Sequence, residues 1–349
     1  MGGVPGTTES APMNAMSPER IPVTLIGGYL GAGKTSLLNH LLTRTTGERM
    51  AVLVNDFGAL GLDAALVAHR GADTVTLTNG CVCCSIADDF GAALDAQIRS
   101  FEPPERIVVE TSGVAEPAKT ARYASGWPGV RLDAVLTVVD LETVRTRAKD
   151  RFVGDLVVRQ IGAADLIVAN KSDRLEAPAR RSTAAWIARH APGAALVETS
   201  HGRVAPAVVL GVGPRASDPL RTRPFGGTTR DARTHGAGAG FAPGQDGHED
   251  VPFVRVTCRA AEPLDRAALT AALDSLPGAV MRFKGLVRLR EHPDRPYVLQ
   301  GVGRRWSLEP IPSRVPAALG VDQGSVVDLI GVGPADRIES AARRIAPVP

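Results

Sequence analysis

The chain has 349 residues, 40 of them basic and 37 acidic, with 44% hydrophobic and only 4% aromatic side chains. That length suffices for two or three domains with substantial cores, and a charged share of 22% argues for a soluble globular protein rather than a disordered one. A net charge of +3 with so few aromatics excludes a dedicated nucleic-acid binder, and no apolar run reaches the roughly 18 residues of a membrane helix.

Residues 1–20 carry neither a basic start nor an apolar core segment, so they read as a disordered tail without a signal peptide, and a cytoplasmic protein is expected. From 21 to 210, short apolar runs alternate with helix-like segments. Strands are predicted at Val23–Ile26, Ala51–Val54, Thr74–Leu77, Arg106–Val109, Ala134–Val139, Leu166–Ala169 and Leu196–Glu198. Helices are predicted at Lys34–Arg44, Asp88–Ser100 and Ala179–His190. Most of the strands are continuous Val/Ile/Leu runs, as a parallel sheet buried on both faces requires. The fold class is therefore α/β, a doubly wound and mostly parallel sheet that binds its ligand at the carboxyl ends of the strands.

Residues 211–250 are dense in Gly, Pro, Arg and Asp without periodicity and read as a flexible linker. From 251 to 349 the pattern becomes that of a smaller α+β domain with an antiparallel sheet. Its expected elements are a strand at Phe253–Cys258, a helix at Leu264–Leu276, an extended Val280–Leu289, a turn at Pro293-Asp294, strands at Tyr297–Gly301 and Ser325–Ile330, and a helix at Ala335–Arg344. Cys258, in an alternating strand, reads as a buried core thiol.

Gly28-Tyr29-Leu30-Gly31-Ala32-Gly33-Lys34-Thr35 matches G-x-x-x-x-G-K-[ST] between a strand and a helix. The backbone of Gly28, Gly31, Ala32 and Gly33, with Ser36 behind, would wrap phosphates at a helix N-terminus. Lys34 would reach the β- and γ-phosphates and Thr35 would ligate Mg²⁺. Lys34 and Lys171 are two of only five lysines among the 40 basic residues, so a composition committed to arginine keeps lysine inside nucleotide motifs.

Asn170-Lys171-Ser172-Asp173 follows a later strand. The Asp173 carboxylate can accept from the N1–H and 2-amino group of guanine, Asn170 can meet the other face of the base, and the stem of Lys171 can cover the ring. GTP is thus the expected nucleotide, with His201 in Ser200-His201-Gly202 a weaker addition to the pocket. Glu110, closing the Arg106–Val109 strand, is placed to hold Mg²⁺ waters or the attacking water, and Gly113 lets backbone approach the γ-phosphate.

Cys81-Val82-Cys83-Cys84 lies between the phosphate loop and Glu110, the interval that changes shape with the γ-phosphate in such sheets. In a reducing compartment three adjacent thiolates point to a soft metal, Zn²⁺ or Co²⁺, one ligand short of a closed structural site. A redox thiol cluster and a permanent structural zinc site are the competing readings.

The order GGYLGAGKTSLLNHLL, VNDFGALGLDAAL, TLTNGCVCCSI, VVETSGVAEP and ANKSD resembles the CobW-type family of P-loop GTPases, metallochaperones related to the urease and hydrogenase maturation GTPases. The resemblance runs from about 22 to 202 and resumes in the second domain at Met281-Arg282-Phe283-Lys284-Gly285 and Leu299-Gln300-Gly301-Val302. It implies a P-loop GTPase domain in which GTP-bound protein holds Zn²⁺ at Cys81, Cys83 and Cys84. Hydrolysis then delivers the ion to a client metalloprotein, with Asp56 and Glu110 positioning Mg²⁺ waters or the nucleophile. The family often reads Asn-Glu-Phe-Gly-Glu where this chain has Asn55-Asp56-Phe57-Gly58-Ala59, so its second carboxylate is lost at Ala59. A regulatory GTP switch with structural zinc, acting by partner docking, is the alternative. Neither nucleic acid nor membrane is an expected partner, and a homo-oligomer stays open.

Overall fold

A computed structural model describes residues 20–45, 48–56, 74–78, 85–211, 253–311 and 324–346. The expected tail and linker, Arg20 and Gly211 aside, lie outside these residues, as do Cys81, Cys83 and Cys84. None of the described helices is long and apolar enough to cross a membrane.

Among the described residues, seven strands form one sheet: β1 (Ile21–Gly27), β2 (Met50–Asp56), β3 (Thr74–Thr78), β4 (Arg106–Glu110), β5 (Val130–Asp140), β6 (Leu166–Asn170) and β7 (Ala195–Glu198). Their spatial order is β3-β2-β4-β1-β5-β6-β7, and every neighbouring pair is parallel. Both faces are covered, which is why the strands read as unbroken apolar runs. On one face Ile26, Val108, Leu136 and Val168 pack with Leu37, Leu38 and Leu41 of helix α1 (Lys34–Arg44). On the other, Val23, Leu25, Leu53 and Ile107 pack with Phe90 and Leu94 of α2 (Ser85–Ile98) and with Ala121 and Ala124 of α3 (Pro117–Gly126). Ile167 and Ala169 of β6 meet Val144 of α4 (Val144–Arg147), Val157 and Ile161 of α5 (Gly154–Gly162) and Ile187 of α6 (Ala177–His190). A short α7 (Pro206–Leu210) follows β7.

The second sheet is antiparallel, in the order β11-β10-β9-β12-β8, from β8 (Val254–Ala260), β9 (Val280–Leu289), β10 (His292–Val302), β11 (Arg305–Pro310) and β12 (Ser325–Gly331). Helices α8 (Arg266–Asp274) and α9 (Ala335–Ile345) cover one of its faces. Asp265 caps α8 by accepting from the Ala268 N–H at 2.9 Å, which places the start of that helix after Leu264. Cys258 is buried as expected; burial pushes its thiol up to about 12, and it donates to the Val327 carbonyl.

The turn expected at Pro293-Asp294 is not one. The chain reverses at Arg290-Glu291, and Pro293-Asp294 sit inside β10 where the register with β9 shifts between His292 and Pro296. A bulge admits a proline because the ladder is already broken there.

The two sheets share a core. Met281, Val302 and Ile330 pack with Val204, Val208 and Leu210. Around that core, Arg282 of β9 donates to the Val208 carbonyl at 3.1 Å, to the Val209 carbonyl, and to Asp133 Oδ2 at 2.9 Å. Arg305 reaches Asp165 Oδ1 at 2.7 Å. The second sheet therefore docks near the amino ends of β5 and β6, at the edge opposite to their carboxyl ends.

Candidate functional site

β1 runs directly into the phosphate loop. Gly28, Gly31 and Gly33 have φ of 131°, 75° and 103°, a region that side chains with a Cβ rarely enter. At Gly33 a Cβ would also lie 2.2 Å from the Asn170 amide nitrogen, so the loop is closed against a later strand. The loop tightens through the Ala32 N–H on the Tyr29 carbonyl at 3.1 Å and opens into α1 at Lys34. No acidic side chain occupies the first turn of α1, so its positive end faces the loop without a competing carboxylate. Lys34 is buried, and Thr35 Oγ1 donates to Glu110 Oε1 at 3.0 Å.

Glu110 reaches that hydroxyl because β4 lies beside β1 with Ile26 opposite Glu110. A hydroxyl and a buried carboxylate side by side next to a phosphate loop are hard oxygen donors that suit Mg²⁺. β2 ends at Asp56 on the same edge of the sheet, in register two residues beyond Val54, which faces Glu110.

After Glu110 the chain folds across the phosphate loop. A Cβ at Gly113 would meet Leu30 at 2.6 Å from its Cδ2 and 2.9 Å from its backbone nitrogen. Glycine is thus what lets these two loops touch.

The Asn170–Asp173 segment, expected to read the base, starts where β6 ends. Asn170, only 2% exposed, donates through Nδ2 to the Ala32 carbonyl at 2.9 Å and accepts the Gly202 N–H on Oδ1 at 3.0 Å. Sequence reasoning placed this amide on the base. In the structure each end of the amide also bonds backbone, bracing the phosphate loop against the 199–203 loop; an NH₂ group carries a second hydrogen, so this brace and a contact to the base are compatible.

Lys171 takes a left-handed φ of 58°, and its Nζ lies 2.8 Å from Asp140 Oδ2, which ties the residue after β6 to the end of β5. Asp173 is exposed and held in place by its own N–H on Ser200 Oγ at 3.2 Å. The Ser200 hydroxyl beside it keeps its carboxyl below the usual carboxylate range. His201 (φ 57°) and Gly202 (φ 68°) form the tight turn that brings the Gly202 N–H to Asn170.

The phosphate-loop motif, the Thr35–Glu110 pair and the Asn170–Asp173 segment therefore converge on one edge of the sheet. Among the described residues no three His, Cys, Asp or Glu side chains cluster as a further metal site, and the three thiols fall outside those residues.

A family model described as the CobW/HypB/UreG nucleotide-binding domain matches residues 22–198, and the cobW C-terminal domain model matches 253–342. The chain belongs to the CobW/HypB/UreG family. A protein named zinc chaperone CobW from Sinorhizobium sp is 30% identical over 93% of this chain and 96% of its own length. One of the same name from Pseudomonas aeruginosa is 32% identical over 85% of this chain and 84% of its own. The zinc-bound YjiA GTPase of E. coli shares 21% identity with a TM-score of 0.42, over 93% of this chain and 98% of that one.

Within this CobW/HypB/UreG domain, sequence reasoning missed Asp140 and Gln160. Asp140 was readable as an acidic residue ending a buried strand, the same signal that marks Glu110. Gln160 carried no signal. It lies in α5, a helix of nine residues bounded by glycines, yet it is 1% exposed and bonded to the loop after Glu110.

Proposed function

We propose that this chain is a GTP-hydrolysing metallochaperone that binds Zn²⁺, or Co²⁺ in its place, at Cys81, Cys83 and Cys84 and passes it to a client metalloprotein. In this reading residues 21–210 form the GTPase domain and 251–349 the second domain. The observation that carries it is the bond of Thr35 to the buried Glu110 carboxylate on the same sheet edge as the Asn170–Gly202 brace, which joins a phosphate site to a guanine site. The zinc chaperone names of the two relatives support the cargo.

The roles follow from placement. Lys34 and the backbone of the phosphate loop hold the β- and γ-phosphates, and Asp173 accepts from guanine. Thr35, with Glu110 acting through water, would hold Mg²⁺, which when bound neutralises charge building on the bridging and terminal oxygens. Water attacks the γ-phosphorus in line while the bond to the β–γ bridging oxygen breaks, giving GDP and phosphate. Asp56 and Glu110 are the carboxylates assigned to orient that water. Gly113 reports the γ-phosphate to the segment carrying the thiols. Linkage is reciprocal, so zinc must tighten GTP binding by the factor by which GTP tightens zinc.

The test is anaerobic Zn²⁺ titration of the full chain with a non-hydrolysable GTP analogue and with GDP, repeated on Cys83→Ala. Zinc affinity is expected to differ at least about fivefold between the nucleotide states, and to lose that difference in the variant. Equal affinities in both states would overturn the carrier role and leave a regulatory switch with a structural zinc site.

A further inference from the structure

Gln160 is almost completely buried, at 1% exposure, and belongs to none of the nucleotide motifs. Its side-chain amide donates to two carbonyls of one loop, Gly113 at 3.0 Å and Ala115 at 2.8 Å. Those are the two hydrogens an amide NH₂ possesses, so the donor capacity of the group is filled by that loop. Gln160 is itself fixed from behind, since its backbone carbonyl accepts from the buried Thr137 hydroxyl of β5 at 2.9 Å. Its neighbour Arg159 adds an outer tie, with Nε 3.3 Å from Glu116 Oε1.

The loop so held begins at Glu110, and its Gly113 lies against Leu30 of the phosphate loop. Peptide units are planar and trans, so pinning the carbonyls of Gly113 and Ala115 also sets the directions of the Val114 and Glu116 N–H groups. A helix that contributes nothing to phosphate, metal or base thus orients two peptide planes of the segment that must respond to the γ-phosphate.

We propose that Gln160 is a positioning residue for GTP hydrolysis, holding the 113–115 loop in the arrangement that engages the γ-phosphate. This deepens the proposed GTPase reading and rests on it. GDP lacks the γ-phosphate, so the role of Gln160 separates the two nucleotides: it acts on GTP turnover and on GTP-analogue affinity, and leaves GDP affinity alone.

Two variants test it in the full chain. Gln160→Met keeps length and volume but has no donor. Gln160→Glu keeps the shape and can donate one bond only while its carboxyl is protonated. In Gln160→Met, kcat for GTP hydrolysis is expected to fall about tenfold or more, with GDP affinity within about twofold of wild type, because only preorganisation of the reacting end is lost. Gln160→Glu should be intermediate, and its rate relative to wild type should fall as pH rises through the titration of the new carboxyl. If Gln160→Met fails to fold, that pH profile alone decides the matter. A wild-type kcat in Gln160→Met, or a Gln160→Glu rate that tracks wild type at every pH, would overturn the role of Gln160. So would a fall in GDP affinity parallel to the fall in kcat. Failure of the wild-type chain to hydrolyse GTP would instead overturn the underlying GTPase reading.

Discussion

The guanine-selecting role proposed for Asp173 rests on one exposed side chain. A carboxylate offers only acceptors, and guanine presents two adjacent donors, N1–H and the 2-amino group, where adenine has an unprotonated N1 and no 2-amino group. The Ser200 hydroxyl holds the Asp173 carboxyl below the ordinary range, so the group stays ionised at every pH at which the protein would work. Replacing it by Asn removes charge and turns one acceptor into a donor, which matches the C2 carbonyl of xanthine. Asp173→Asn should lower GDP affinity by about a hundredfold or more and raise affinity for xanthosine diphosphate, since the site is built on these bonds. Fluorescent-nucleotide titration checks this, and unchanged guanine preference would show that Asp173 does not touch the base. Because Asp173 is exposed and packs no core, the melting temperature should stay that of wild type.

At the scale of elements the site is a set of strand ends tied together. Asn170 is the tie between the phosphate loop and the 199–203 loop, and its removal strands the Ala32 carbonyl and the Gly202 N–H. Each buried polar group left without a partner costs about 1–3 kcal/mol. Asn170→Ala should therefore lose both thermal stability and affinity for GDP and GTP alike. That signature separates a brace from a residue that acts on the base alone, the role proposed for Asp173, and a variant with reduced guanine affinity at wild-type stability would show that Asn170 serves the base and not the brace.

Much of this arrangement is legible in the sequence because the chemistry is local. The run from Val23 to Arg44 carries strand, loop and helix in unbroken order, and a parallel topology puts Glu110 and Asn170 at the same edge as that loop. What could not be read depends on partners far apart in the chain or on weak periodicity. α3 buries only Pro117, Ala121 and Ala124, side chains too small to mark a helical face. Gln160 meets a loop 45 to 47 residues earlier, with no pattern linking them. The 305–310 strand, RWSLEP, alternates Trp306 and Leu308 against the second core but offers too few apolar residues to stand out.

For the whole molecule, the decisive contact is a single carboxylate shared between the two sheets. Asp133 Oδ2 lies 2.9 Å from Arg282 of the second sheet and 3.1 Å from Arg106 of the first, with Arg131 3.6 Å from Oδ1. Burial by itself would raise the Asp133 carboxyl, but the Arg282, Arg106 and Arg131 guanidiniums outweigh it and hold the group far below its ordinary range. Arg282 also fastens the end of α7, the helix that follows the 199–203 loop, so the same side chain links second sheet, first sheet and nucleotide edge. A carboxyl whose pKa is lower folded than unfolded stabilises the fold fully above its unfolded value of about 3.9, and that contribution drains away as pH falls toward the folded value. Asp133→Asn should thus cost about 3–5 kcal/mol at pH 7, because it takes the counter-charge from the buried Arg282 guanidinium and one of two from Arg106. The gap between variant and wild type should narrow steadily below about pH 4. Glu48, on the far side of Arg106 at 3.4 Å, is pushed upward mainly by burial and in small part by Asp133 itself, so it titrates with the opposite sign and only its burial-driven part is common to both proteins. Urea unfolding followed from pH 7 to pH 2.5 measures that gap directly. A difference that stays constant across the range would mean that Asp133 is not the charge on which the two sheets are joined.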